Sequence, residues 1–430
     1  MKKYDILENI REYASNTLPN KNKFKPGIDE VPVSGAVISS DDIVSICDTV
    51  LDGWFTEGHA SKTFAELLSD YLGIAHVVLC NSGSSANLIA MSVVKDQYKI
   101  KHKKKVITCA TGFPTTIAPI IQVGLVPLFI DADPMTLNPN TQTIVELLER
   151  DDVAGIIQAH TLGFPFDAIS VCEACAKHEK FFIEDVADAL GSTLDDELVG
   201  RFGDIATFSW FPAHTITMGQ GGALAISNAQ LYKLANNYRA WGRSCICAPG
   251  QDNVCGKRFE WKWKNLPPGY DHKYTFTKVG YNLEITDMQA ALGGSQFQSL
   301  QEFIDLRKYN YQYLMDGLCE FEEHLQFVEP LPNSEPSPFG FPMSVISSAT
   351  TRKDFVNYLE QNKIRTRPVF AGNIIRQPMM ENVQYRVSED LTGSDWIMEN
   401  TFWIGCHPGL TSTHLDYVLE KIFEYFKKEI

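Results

Sequence analysis

"ATFSWFPAHTITMGQGGALAIS" (residues 206–227) joins two short apolar runs through a loop that holds Pro212, His214, Gly219 and Gly221. ATFSW (206–210) and GALAIS (222–227) are the right length for buried strands and too short for helices. Pro212 sets a turn between them, and Gly219, Gly221 and Gly222 allow other backbone segments to come close. The same strand signal recurs upstream in HVVLC (76–80), KVITCA (105–110), VPLFIDAD (126–133), AGIIQAH (154–160) and FFIEDV (181–186). Between these runs, SSANLIAMSVVKDQY, TTIAPIIQVG, TQTIVELLER and SVCEACAKHEK carry apolar residues at helical spacing. Such alternation predicts an α/β domain whose mostly parallel sheet is covered by helices on both faces.

Working outward, residues 1–35 read as an N-terminal arm and 36–297 as the large α/β domain. The aromatic-rich, Pro- and Gly-bearing stretch 245–274 reads as an insertion in that domain. Residues 298–430 read as a smaller α+β domain closed by the helix-like LDYVLEKIFEYFKKEI. With 44% apolar and 21% charged residues, the composition is that of a globular protein. A formal charge of −15 argues against nucleic acid or anionic membrane as partner. The basic run KIKHKKK (99–105) reads as a solvated loop. No long apolar run is present, and MKKYDILENIREY is amphipathic rather than a signal peptide, so a cytoplasmic protein is expected. The cysteines lack the spacing of a secreted disulfide framework, and Cys172 and Cys175 fall in a helical pattern without a redox-type turn.

Three stretches could carry chemistry. In CNSGSSANLIA (80–90) a strand gives way to a helix at Ser84 or Ser85. The free N–H groups there, with Gly83 and the serines, could cup an anion, or a serine could simply cap the helix. FFIEDVADALGS ends a strand with Glu184, Asp185 and Asp188, on the sheet edge where ligands bind. A carboxylate there could face a cationic ring, or it could cap a helix. In the opening stretch, His214 projects from a Gly/Pro loop, where functional groups concentrate, although a lone histidine is more often structural.

In this order and spacing, the three stretches resemble the nucleotide-sugar aminotransferase branch of fold-type-I pyridoxal-phosphate enzymes. GWFTEG (53–58), ATGFPTT (110–116), QAHTLGFPFD (158–167) and GYNLEITDMQAALG (280–293) extend the resemblance over nearly the whole chain. It implies that Gly83, Ser84 and Ser209 hold the cofactor phosphate, Asp185 the ring nitrogen and Phe113 a ring face. Asp188 would join them at the cofactor. Asn282 would reach the phosphate of a neighbouring subunit in a homodimer. His214 stands where the family has its Schiff-base lysine, which is similar to a subgroup of nucleotide-sugar 3-dehydratases. That resemblance implies pyridoxamine phosphate as working cofactor and a CDP-linked 4-keto-6-deoxyhexose as substrate. It also implies a place in dideoxysugar and lipopolysaccharide O-antigen synthesis. Imidazole, with an ordinary pKa near ~6.5, suits removal of the cofactor's C4′ proton as the C3 hydroxyl departs.

Within that subgroup, the dehydrases of CDP-linked sugars that the chain resembles carry a [2Fe–2S] cluster fed by a flavin reductase. Cys245, Cys247 and Cys255 match its C-x-C-x7-C spacing, but its fourth cysteine falls on Ala187. Alanine cannot bind iron. Either Asp188, Cys80 or Cys109 supplies the fourth ligand, or the cluster is lost, or residue 187 has been exchanged. Zinc on three cysteines would be a poorer site. A cluster-free, redox-neutral dehydratase that uses glutamate is the nearest rival, and a silent binding protein of the same fold is the third reading.

Overall fold

A computed structural model describes residues 1–18, 24–245 and 247–429. Each expected run forms a strand: β1 (His76–Cys80), β2 (Lys105–Cys109), β3 (Val126–Ile130), β4 (Val153–Ala159) and β5 (Phe181–Asp185). Past a small hairpin of β6 (Thr193–Leu194) and β7 (Glu197–Leu198) come β8 (Ile205–Ser209) and β9 (Gly222–Ile226). Downstream lie β10 (Leu325–Phe327), β11 (Ser334–Glu335), β12 (Phe341–Val345), β13 (Thr366–Arg367), β14 (Arg386–Val387) and β15 (Thr401–Ile404).

The large sheet has the order β1-β9-β8-β5-β4-β2-β3-β14. From β8 to β14 every pairing is parallel, whereas β9 runs antiparallel to both of its neighbours. This is the mixed, parallel-dominated sheet of fold-type-I pyridoxal-phosphate enzymes, as expected. β3, β5 and β9 are buried at every residue, which explains why their sequences run apolar without alternation. Helices on the two sides seal separate apolar cores. One contains Phe64, Leu68, Ile156 and Phe208, the other Ile89, Val93, Ile120 and Ile183.

The second sheet, β10-β12-β15-β13, is antiparallel. Leu314 and Leu318 of helix Leu300–Leu318, Phe355 of Arg352–Gln361 and Leu415 of Ser412–Glu429 pack on its Phe341 and Phe402. The C-terminal part also feeds the large sheet, because β14 extends it beside β3. A two-residue strand has no periodicity to read, so this pairing leaves no trace in the sequence. Among the described residues, 245–274 contain no strand and are tied down by local contacts. Arg258 donates to Asp271 (3.0 and 2.6 Å), and His272 stacks on Trp261 with ring centroids 4.0 Å apart. No helix among the described residues is long and apolar enough to cross a membrane.

Candidate active site

The reversed strand β9 assembles the site. Its first residue, Gly222, is paired with Cys80 on one side and Ser209 on the other. The carboxyl ends of β1 and β8 therefore flank the start of β9, with the end of β5 next along the same edge. A Cβ on Gly222 would sit 2.3 Å from the Ser82 carbonyl oxygen, and one on Gly83 would sit 2.5 Å from Ser209 Cβ. Only glycine permits this approach.

The helix after β1 spans Gly83–Gln97 and starts slightly earlier than the sequence suggests. Ser82 is its cap, with its Oγ accepting from the Ser85 amide at 3.1 Å. Capping is thus done by Ser82, and Ser84 is left exposed on the first turn. Ser84, Gly83 and Ser209 line one cavity of about 630 Å³ together with Phe113, Asp185, Ala187, Asp188 and His214. Amide groups at a helix start beside two hydroxyls can hold a phosphate.

Asp185 ends β5 at the bottom of the cavity and is 6% exposed. Its Oδ2 accepts from Asn87 Nδ2 (2.8 Å) and Thr116 Oγ1 (2.7 Å), and its Oδ1 from the Ala187 amide (3.2 Å). Asn87 is itself held by Thr207, whose Oγ1 donates to its Oδ1 at 2.6 Å. Burial pushes the Asp185 carboxyl above the usual carboxylate range. The three donors pull it back down, and nearby Asp188 adds to the rise. A cation placed above it would reverse that shift.

His214 lines the same cavity, its Nδ1 3.4 Å from Asp188 Oδ1, within ion-pair reach when the ring is protonated. Neither His214 Nδ1 nor Asp188 Oδ2 has a hydrogen-bond partner among the described residues, though both are buried. Asp188 Oδ2 is thus left for a ligand to satisfy, while His214 Nδ1 is covered by Asp188 Oδ1. Phe113 precedes the helix Pro114–Gln122, is 49% exposed, and meets Phe370 edge-on with centroids 6.1 Å apart.

The remaining candidates lie elsewhere. Asn282 is exposed, pairs with Ala240 in an isolated bridge, and does not line this cavity. Cys245, Cys247 and Cys255 also lie off its lining. The Cys247 amide donates to Cys245 Sγ (3.5 Å), and Cys255 Sγ lies 3.7 Å from His272 Nε2. Among the described residues, no group of three or more His, Cys, Asp or Glu side chains is gathered tightly enough to hold a metal ion. Cys80 and Cys109 are buried thiols pushed up to about 12 by desolvation, which disfavours the thiolate that iron requires. Ala187 has no donor, and Asp188 faces His214. The donor set does not fit a [2Fe–2S] cluster.

Sequence reading missed Asn87, Thr116, His160, Arg307 and Arg367. Asn87 had a signal, since it follows Gly83 and Ser84 on the same helix face and is the polar residue of an apolar stripe. His160 lines the cavity, and its Nε2 lies 3.2 Å from buried Glu184 Oε2. Arg367, in the two-residue β13, is the one cationic Arg or Lys side chain on the lining among the described residues.

Residues 37–423 match the DegT/DnrJ/EryC1/StrS aminotransferase family. The chain is 45% identical over 426 residues to the lipopolysaccharide biosynthesis protein RfbH of Salmonella typhimurium, covering 98% of this chain and 97% of that one. It is 41% identical over 428 residues to a dTDP-4-dehydro-2,6-dideoxy-D-glucose 3-dehydratase of Saccharopolyspora spinosa, covering 98% and 92%. The solved structure of E. coli GDP-4-keto-6-deoxy-D-mannose-3-dehydratase with bound hydrated PLP matches with a TM-score of 0.82. It does so at 24% identity over 91% of this chain and 99% of that one, a likeness of fold.

Proposed function

Because this chain belongs to the DegT/DnrJ/EryC1/StrS aminotransferase family yet presents His214 and no lysine to its cavity among the described residues, we propose that it is a pyridoxal-phosphate-dependent 3-dehydratase of a nucleotide-linked 4-keto-6-deoxyhexose. The missing lysine carries the reading, because the family's sugar aminotransferases hold the cofactor covalently through that lysine, and here the cofactor would stay free. The residues fit the cofactor: an anion cup at Gly83, Ser84 and Ser209, a buried carboxylate at Asp185, and an aromatic face at Phe113. When bound as pyridoxamine phosphate, the cofactor supplies an amine for the sugar ketone and an electron sink for loss of the C3 hydroxyl.

The protein's own groups do the rest. Asp185 keeps the ring nitrogen protonated, with Asn87 and Thr116 fixing its orientation. His214 Nδ1 is enclosed beside Asp188, which leaves Nε2 to take the C4′ proton and pass a proton to the departing hydroxyl, so that water is lost. Asp188 stabilises the imidazolium between those two transfers. Arg367 at the cavity wall offers a cation to the diphosphate of the substrate. CDP is the carrier proposed from the resemblance, and lipopolysaccharide synthesis, named for the Salmonella relative, is the proposed setting. Asn282, exposed and outside its own cavity, would complete a neighbouring subunit's phosphate site in a homodimer.

Ala187 and the ungathered cysteines favour glutamate as the source of reducing equivalents over a cluster and a flavin reductase. The test supplies CDP-, dTDP- and GDP-4-keto-6-deoxyhexoses with pyridoxal phosphate and glutamate, then identifies the sugar by mass and NMR. A 3-deoxy ketosugar supports the proposal, and a 4-aminosugar sinks it. Iron found in anaerobically purified protein, with turnover only on adding a reductase, would restore the cluster reading.

A further inference from the structure

The loop that carries His214 has one neighbour that the proposed chemistry does not use. Arg307, on the buried face of helix Leu300–Leu318, is 1% exposed. Its guanidinium donates to main-chain carbonyls: Nη1 to Pro338 (3.4 Å) and Phe339 (2.9 Å), Nη2 to Ala213 and His214 (3.2 Å each). Its carbon lies 5.6 Å above the Phe339 ring, and that ring also meets His214 and Trp403, each with centroids 5.3 Å apart. Arg307 therefore grips the histidine twice, through its carbonyl and through the aromatic wall behind its imidazole.

Burying a guanidinium without a carboxylate against it is expensive, and desolvation lowers its proton affinity. A methionine or leucine would fill the same space beside Phe303, Ile304 and Leu314, the apolar residues of the same buried face. What the guanidinium adds is a planar fork that addresses two loops at once, which an ammonium cannot do. One prong holds the His214 loop and the other holds the segment entering β12.

We infer that Arg307 is a positioning residue for the reaction: it fixes the Ala213 and His214 carbonyls against residues 338–339 and so sets the His214 imidazole in the cavity. The inference rests on the reading of His214 as the proton-transferring group. Displacements of about 1 Å at such a group can cost a hundredfold in rate.

The test is Arg307→Lys, assayed for cofactor affinity, for melting temperature, and for exchange of the pyridoxamine phosphate C4′ protons with D2O in the absence of sugar. The expected result is a folded protein that binds the cofactor within about threefold of wild type and exchanges about ten- to a hundredfold more slowly. With sugar added, kcat should fall while KM holds. Exchange at the wild-type rate in a folded variant overturns the inference, as does a loss of cofactor affinity equal to the loss of exchange. Should the variant fail to fold, amide hydrogen exchange of wild-type peptides covering 211–217 decides the matter. Protection comparable with β8 and β9 supports a pinned loop, and surface-loop rates overturn it. If wild-type protein exchanges no C4′ proton, the role given to His214 fails, and comparing protection of 211–217 between wild type and Arg307→Lys still decides whether Arg307 pins the loop.

Discussion

At the scale of single residues, the roles of His214 and Asp185 separate cleanly in experiment. With no lysine at position 214, the cofactor should leave on dialysis, and borohydride should fix none of it to the native protein. In His214→Lys, borohydride should fix close to one cofactor per chain, read by intact mass. Asp185→Asn exchanges a charge-assisted contact for a neutral one, costing roughly 1.5–3 kcal/mol, or about ten- to a hundredfold in cofactor affinity. Equilibrium titration followed by absorbance checks this. The pH dependence has a definite sign. Burial raises the Asp185 carboxyl pKa, so the stabilising proton is present at low pH. It is lost as pH climbs from the ordinary carboxylate range through the raised value. A cationic ring expels that proton, so cofactor affinity should rise with pH across this window, then level off. In Asp185→Asn the slope should vanish.

Elements show why part of the site was legible and part was not. β1, β5 and β8 could be read because each is a short apolar run buried in the sheet, and each ends in the residue that matters: Cys80 before the anion cup, Asp185, Ser209. Their partners could not. Asn87 left only the faint signal of one polar residue in an apolar stripe, Thr116 lies on a helix whose pattern announces only an apolar face, and Arg307 sits on a stripe where a charged residue contradicts the pattern. Arg367 comes from a two-residue strand that has no periodicity. The cysteine spacing invited a metal site, but spacing along the chain says nothing about convergence in space. Gly83 offers the sharpest test at this scale. An alanine there must displace Ser209 or the helix start, so Gly83→Ala should cost about 1–3 kcal/mol of stability. It should weaken phosphate-bearing cofactor far more than dephosphorylated pyridoxal. Thermal melts and paired titrations measure both.

For the molecule as a whole, the cavity is bounded by both sheets, with Phe113 on one side meeting Phe370 on the other. Saturating cofactor at a hundred times its Kd should raise overall stability by about 2.7 kcal/mol, seen as a higher melting temperature. The thiols of Cys80, Cys109 and Cys406, pushed up to about 12 by burial, should resist iodoacetamide in native protein while exposed Cys319 reacts. β9 has one more consequence. Since it runs back against β8, the His214 loop is a hairpin closed by the Ser209–Gly222 pair rather than a crossover that a ligand must organise. The entropy of closing that loop is met when the sheet forms, before any cofactor arrives. Entry should then follow simple second-order kinetics. Stopped-flow rates should climb linearly with cofactor concentration, without the plateau that a slow folding of the loop would impose.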